Sequence, residues 1–124
     1  MFEIHLIDAT RNLPPRPKVW IYRALRSGWF DIEAGVYDSR PNGGVCPVAA
    51  GAILAGIWAD GRLMEGFPDW GTDLAPNEEV EDFAAYFDLC ADELGTEAAL
   101  RLVQEQLANE SVLATAGYRG RQAS

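Results

Sequence analysis

The residue best suited to covalent chemistry is Cys46, which lies in the segment GGVCP at positions 43–47. A proline is pre-organised for the first helical position, so the segment predicts a helix with Cys46 as its N-cap. The free backbone amides of such a helix start can stabilise a thiolate and lower its pKa. A thiol enzyme also needs a base, and the one histidine, His5, is the candidate. Nothing in the sequence brings His5 close, so a small buried core cysteine is the favoured interpretation.

Familiar catalytic and metal-binding motifs are missing from the sequence. A single histidine excludes a site built from several histidines of one chain, and the two cysteines do not form a CxxC pair. Asp69 and Asp73 lie on either side of Trp70, but the segment lacks the further oxygen ligands of a calcium loop. We therefore predict no metal and no cofactor, and the enzyme hypothesis depends on Cys46.

Basic residues are concentrated in one segment, residues 9–30, which contains no acid. Its five bases are Arg11, Arg16, Lys18, Arg23 and Arg26, and Trp20, Tyr22 and Trp29 lie among them. Arginines mixed with aromatic residues can bind phosphates and stack on bases, so nucleic-acid contact is one alternative. Charge pairing inside the molecule or between subunits is the other. The candidate contact residues on this side are Arg23, Arg26, Trp29 and Trp70.

Acidic residues recur at helical spacing further along the chain. Glu81, Asp88 and Asp92 lie on one face of a predicted helix and form what we call the acidic row. Such a row is ordinarily a solvated helix face. Its functional interpretation is a docking surface for a basic partner, because a mimic of nucleic acid normally carries denser charge.

The composition limits the class of protein. A net charge of −9 argues against a protein that coats nucleic acid, and 48% hydrophobic residues indicate a folded domain. Two cysteines are too few for a disulfide scaffold, and we find no secretory signal, so the cytoplasm is the predicted location. The uncharged stretch over residues 43–59 contains four glycines and predicts a buried helix rather than a membrane span.

The first elements are predicted to be a strand, a connector and a short helix. Alternation of apolar and polar residues from Phe2 to Leu6 indicates a half-buried strand, for which residues 32–37 or a second subunit could supply the partner. Residues 12–17 resemble a polyproline connector. A helix then follows from Lys18 to Ser27, and Gly28 ends it.

Three further helices are predicted. An apolar helix from about Pro47 to Ala59 is central because it has no polar face, and Asp60-Gly61 ends it. Asn77 caps the next helix, and Gly95-Thr96 joins it to a last one that runs to about Asn109. These two helices form an αα-hairpin.

Taken together, the patterns predict a mainly α, small single-domain helical fold. A central apolar helix packs against the C-terminal αα-hairpin and against the helix from Lys18 to Ser27, and a short N-terminal β-strand or ribbon lies at the side. One globular domain covers residues 1–118, and residues 119–124 form a frayed tail.

The favoured function is a non-enzymatic cytosolic binding or regulatory module that acts on a protein partner through a charge-polarised surface. Self-association as a homodimer is compatible with the opposite charges of that surface. The alternatives are a thiol-dependent enzyme or redox-responsive protein using Cys46, and nucleic-acid contact through residues 11–26.

Overall fold

The computed structural model describes residues 1–64, 69–71 and 77–110, and this part of the chain is mainly helical. Its helices are α1 (Glu3–Arg11), α2 (Pro15–Ser27), α3 (Pro47–Leu54), α4 (Glu78–Leu94) and α5 (Thr96–Ala108). Two short strands, β1 (Trp58–Ala59) and β2 (Arg62–Leu63), pair as an antiparallel ribbon. The predicted mainly α fold is confirmed. The predicted tail, 119–124, lies outside the described residues.

The central helix is α3, as its apolar sequence predicts. Its residues from Pro47 to Ala52 are all buried, and it packs mainly against α2. The contact is close because Gly51 lies against Ile21, where a Cβ atom would come within about 3 Å of the Ile21 backbone. Small residues at this crossing therefore determine how near the two helices can lie.

The predicted end of α3 is wrong by several residues. The helix ends at Leu54, and a glycine with positive φ, Gly56, turns the chain into the ribbon. Asp60 and Gly61 form the tight turn between β1 and β2 rather than ending a helix. Both have positive φ, which is the conformation that an Asp-Gly hairpin turn requires.

The αα-hairpin is confirmed. The Asn77 Oδ1 atom accepts hydrogen bonds from the backbone amides of Glu79 and Val80, at 2.9 and 3.2 Å, and so caps α4. Gly95, with φ of 96°, connects α4 to α5. Helix α1 packs against both members of the hairpin.

The predicted N-terminal strand is wrong, because residues Glu3–Arg11 form α1. The buried side chains of this segment are Leu6, Ala9 and Thr10, followed by Leu13 after the helix. That is helical spacing, whereas Ile4, which the strand pattern would bury, is 70% exposed. Five alternating residues fit either period, and only packing against α4 and α5 selects the helix.

The predicted connector at residues 12–17 is also shorter than expected. Helix α2 starts at Pro15 rather than Lys18, and Pro15 and Pro17 occupy its first turn. Prolines are tolerated there because the first amides of a helix have no partner inside the helix. The predicted end is confirmed, because Gly28 is the left-handed C-cap.

Candidate functional site

A cleft of about 240 Å³ opens between the loop that contains Gly35–Tyr37 and one face of α4. Its α4 wall consists of Glu81, Ala84, Ala85 and Asp88. Its loop wall consists of Gly35, Val36 and Tyr37, and Cys46 at the start of α3 also lines it. We call it the acidic cleft, because both of its ionised side chains are carboxylates.

Backbone hydrogen bonds hold the loop wall in place. The Val45 amide donates to the Asp31 carbonyl and the Cys46 amide donates to the Tyr37 carbonyl, each at 2.8 Å. The Glu33 amide in turn donates to the Val45 carbonyl at 2.9 Å. Residues 32–37 therefore pair with the segment before α3. The predicted pairing of these residues with the N-terminal segment is wrong.

The glycines before Cys46 make this pairing possible. A Cβ atom on Gly44 would collide with the backbone oxygen of Asp31. The Glu33 Oε1 atom accepts from the Gly44 amide at 2.9 Å and from the Ser39 hydroxyl at 3.2 Å. The turn before α3 is thus folded against its own loop, and the glycines serve close backbone packing rather than access to the thiol.

The acidic row supplies the charged wall of the cleft. Glu81 and Asp88 line it, and Asp92 is exposed one turn further along α4. The sequence predicts a solvated side chain for Asp88, but the structure shows it half-buried. Its Oδ1 atom accepts a hydrogen bond from the Gly35 amide at 2.9 Å. This bond joins the helix to the loop and fixes the width of the cleft.

The pKa of Tyr37 reflects the burial and the negative charge of the cleft. Its pKa is raised, first by burial and then by the nearby Cys46, Glu81 and Asp88. Its ring lies 6.2 Å from that of Trp58, and the side chain is still 38% exposed. The cleft therefore combines an aromatic surface with negative charge, which suits a cationic group carried on an apolar stem.

The thiol of Cys46 is not activated. Its side chain is 3% exposed, and its Sγ atom accepts a hydrogen bond from the Ala49 amide at 3.4 Å. That bond favours the thiolate, but burial outweighs it and raises the pKa of Cys46 to about 12. The predicted N-cap position and the favoured interpretation of a buried core cysteine are confirmed, and the thiol lacks the lowered pKa that the enzyme alternative requires.

His5 does not lie among the residues that line the acidic cleft. Its ring stacks on Tyr86, with 5.2 Å between the centroids, and it lines a separate cavity with Asp8 and Asp82. Tyr86 and Asp82 belong to a different face of α4 from Glu81 and Asp88. The structure therefore does not bring together the nucleophile and the base that the enzyme alternative requires.

The basic side of the molecule is organised by aromatic rings. The guanidinium carbon of Arg23 lies 5.0 Å from the centre of the Trp20 ring, and that of Arg26 lies 5.6 Å from the Tyr22 ring. Arg26 Nη1 also donates to the Tyr22 hydroxyl at 3.1 Å. Trp29 follows α2 and is 76% exposed. Arg23, Arg26 and Trp29 are therefore all exposed at the surface.

Two members of the predicted basic side have internal roles. Trp70 is 1% exposed, so its predicted surface contact is wrong: its large ring is core. Lys18 is 6% exposed, and its Nζ atom donates to Glu110 Oε1 at 2.9 Å and to the Arg11 carbonyl at 2.8 Å. Asp73, the weak partner suggested for Asp69, lies outside the described residues.

The loop wall is the part of the site that sequence reasoning missed. Gly35, Val36 and Tyr37 follow no sequence pattern that marks them as the wall of a site. The one sequence signal is the glycine pair before Cys46, which requires close backbone packing but does not reveal against which segment.

The chain matches no protein-family model, no curated protein and no solved structure. In the part of the chain that the structure describes, no helix is long and apolar enough to cross a membrane. Within the same residues, no group of three or more His, Cys, Asp or Glu side chains is arranged to hold a metal ion. Function is therefore inferred from the acidic cleft itself.

Proposed function

We propose that this protein is a non-enzymatic binding module that takes up a basic segment of a protein partner in the acidic cleft. The observation that carries the proposal is the pairing of two carboxylates, Glu81 and Asp88, with an exposed aromatic and apolar loop across a cleft of about 240 Å³. The cytoplasm suits this role, because both cysteines of the chain are free thiols in the structure.

The charge of the cleft is available to a partner. Ion pairs within the described residues involve the acids Asp8, Asp38, Glu93 and Glu110, and no member of the acidic row takes part in them. Asp88 accepts one hydrogen bond from Gly35, but a backbone amide does not neutralise a carboxylate. A cation of a partner can therefore compete with water for Glu81 and Asp88.

The size of the cleft favours a side chain over a small-molecule ligand. Pockets for drug-sized ligands have about 300–1,000 Å³ and bury most of the ligand. This cleft is smaller and open, so it suits one arginine or lysine, with its stem on Val36 and Tyr37 and its charge on the carboxylates. Further bases of the same segment would lie along α4 towards Asp92.

Peptide binding tests the proposal. We expect an acetylated octapeptide of alternating glycine and arginine to bind the wild type, and its glutamine counterpart not to bind. E81Q/D88N should weaken binding at least about tenfold, because two close charge pairs are lost. The amide that replaces the Asp88 carboxylate keeps an oxygen to accept from the Gly35 amide, so the loop wall remains. Isothermal titration calorimetry measures the affinity.

A matched control separates the cleft from the overall charge. E97Q/E105Q removes the same number of charges from exposed positions on α5, and it should bind the peptide like the wild type. Equal weakening by both variants would mean that the peptide responds only to net charge. Full binding by E81Q/D88N would contradict the proposed function.

A further inference from the structure

The outer face of α2 is a basic surface of defined spacing. Its arginines Arg16, Arg23 and Arg26 are exposed, and α2 contains no acid. They lie at positions i, i+7 and i+10, which places them along one side of the helix with axial steps of about 10.5 and 4.5 Å. We use the term outer face of α2 for these three residues.

The acidic row has nearly the same spacing. Glu81, Asp88 and Asp92 lie at positions i, i+7 and i+11, with axial steps of about 10.5 and 6 Å along α4. The arginines and the carboxylates come opposite one another only when α2 and α4 run in the same direction. In the antiparallel orientation, the shorter axial distance on one helix would lie opposite the distance of about 10.5 Å on the other. The match is a property of two helices that do not pack on each other within one molecule, since α2 packs mainly on α3 and α4 on α1 and α5.

We propose that the partner of the acidic row is the outer face of α2 of a second copy of this chain. The two helices lie parallel, with Arg16, Arg23 and Arg26 of one copy opposite Glu81, Asp88 and Asp92 of the other. This inference rests on the proposed function, because it names the basic segment that enters the acidic cleft.

The aromatic residues of α2 prepare its arginines for this contact. Trp20 and Tyr22 hold the guanidinium groups of Arg23 and Arg26 from one side, so less side-chain freedom is lost when the carboxylates bind. Apolar groups lie at the same end of both helices. Trp29 follows Arg26 closely in the chain, and Leu89, 42% exposed, lies one turn from Asp92.

The geometry favours a second copy over a nucleic acid. Carboxylates with the matching spacing exist on the chain itself, whereas a net charge of −9 repels a phosphate backbone. Because the two surfaces differ, the contact is heterologous: each copy keeps one free acidic row and one free outer face of α2. Such contacts build a ring or an open chain rather than a symmetric dimer.

Sedimentation velocity with two charge-reversed variants tests the inference. The weight-average mass of the wild type should rise with concentration from about 20 µM to about 1 mM, and less so in high salt. R16E/R26E and E81R/D92R should each associate at least about tenfold more weakly, because each presents like charges at the contact. An equimolar mixture of the two should associate again. The net charges of these variants are −13 and −5, since each substitution changes the charge by two, so net attraction cannot explain recovery.

Controls and contrary outcomes are defined by the same measurement. E97R/E105R also has a net charge of −5 but keeps both contact surfaces, so it should associate like the wild type, unlike E81R/D92R. Circular dichroism melts identify any variant that fails to fold, and R16Q/R26Q then replaces the charge reversal. A wild type that stays monomeric while the arginine peptide binds would overturn this inference and leave the proposed function standing. Tight binding of a thymidine 20-mer, lost in R16Q/R26Q, would assign the outer face of α2 to nucleic acid instead.

Discussion

The acidic cleft and the outer face of α2 carry opposite charges, and the fold supports them in different ways. In the cleft, one carboxylate, that of Asp88, is tied to a loop formed far away in the sequence. On α2, the arginines are held by aromatic neighbours on the same helix, three or four positions away. A charged surface made by local contacts is visible in the sequence, whereas one made by a distant loop is not.

The largest expected effect comes from the one base of α2 that points inward. Lys18→Ala should lower the free energy of unfolding by about 3 kcal/mol or more, because Glu110 would be left with an unpaired and largely buried charge. Arg16→Ala, on the outer face of the same helix, should change it by less than about 0.5 kcal/mol. Urea unfolding followed by circular dichroism measures both.

A double variant sharpens this first prediction. K18M/E110Q removes both charges and should be less destabilised than K18A, because no uncompensated ion remains. A K18A protein as stable as R16A would show that the ion pair between Lys18 and Glu110 contributes nothing to the fold.

The next effect concerns the loop wall of the cleft. Gly44→Ala should cost about 1–3 kcal/mol, because the added methyl group collides with the Asp31 carbonyl that accepts from Val45. The same variant should bind the arginine peptide more weakly, since the wall at Tyr37 depends on this pairing. Asn42→Ala, at an exposed position in the same turn, is the control for both measurements. Unchanged stability and binding in G44A would contradict the close packing at this glycine.

The third prediction is a pH dependence at the Cys46 wall of the cleft. The folded protein raises the pKa of Cys46 from 9.0 to about 12, so it binds the thiol proton more strongly than the unfolded chain does. Stability from this group is complete below pH 9 and is lost as the pH rises towards 12. Cys46→Ser, which keeps a capping oxygen, should match the wild type near neutral pH and show a shallower loss at alkaline pH.

Other groups act in the same direction and remain in the serine variant. Burial also raises the pKa of Tyr37 and of Cys90, so the alkaline loss should be reduced but not abolished. Alkylation rates give an independent check, because the native thiol should react slowly and faster only on unfolding. Rapid native reaction with a midpoint below about 7 would revive the thiol-enzyme hypothesis.

The smallest expected change in stability is at the exposed end of the basic surface. Trp29→Ala should alter the free energy of unfolding by less than about 0.5 kcal/mol, because the ring is 76% exposed. Its effect should appear instead as weaker concentration-dependent association in sedimentation velocity. Trp70→Ala, in contrast, removes a core ring and should destabilise by about 3 kcal/mol or more. Similar losses of unfolding free energy in the two variants would contradict the assignment of Trp29 to the surface and Trp70 to the core.

Local patterns in the sequence predicted most of the helices. Asn77 caps α4, Gly95 separates α4 from α5, and Gly28 ends α2, because caps and glycines act through backbone groups within a few residues. The acidic row and the arginines of α2 also follow from helical spacing alone. For the same reason, the N-cap position of Cys46 could be predicted from the proline that follows it.

Tertiary packing decided what local patterns left open. The alternation from Phe2 to Leu6 fits two periods, and contact with the αα-hairpin made it helix α1. Trp70 became core and Lys18 became the partner of Glu110, because burial depends on what covers a side chain and not on its neighbours in sequence. The acidic cleft exists only because residues 31–37 pair with Val45 and Cys46 and meet Asp88, contacts that no short-range spacing encodes.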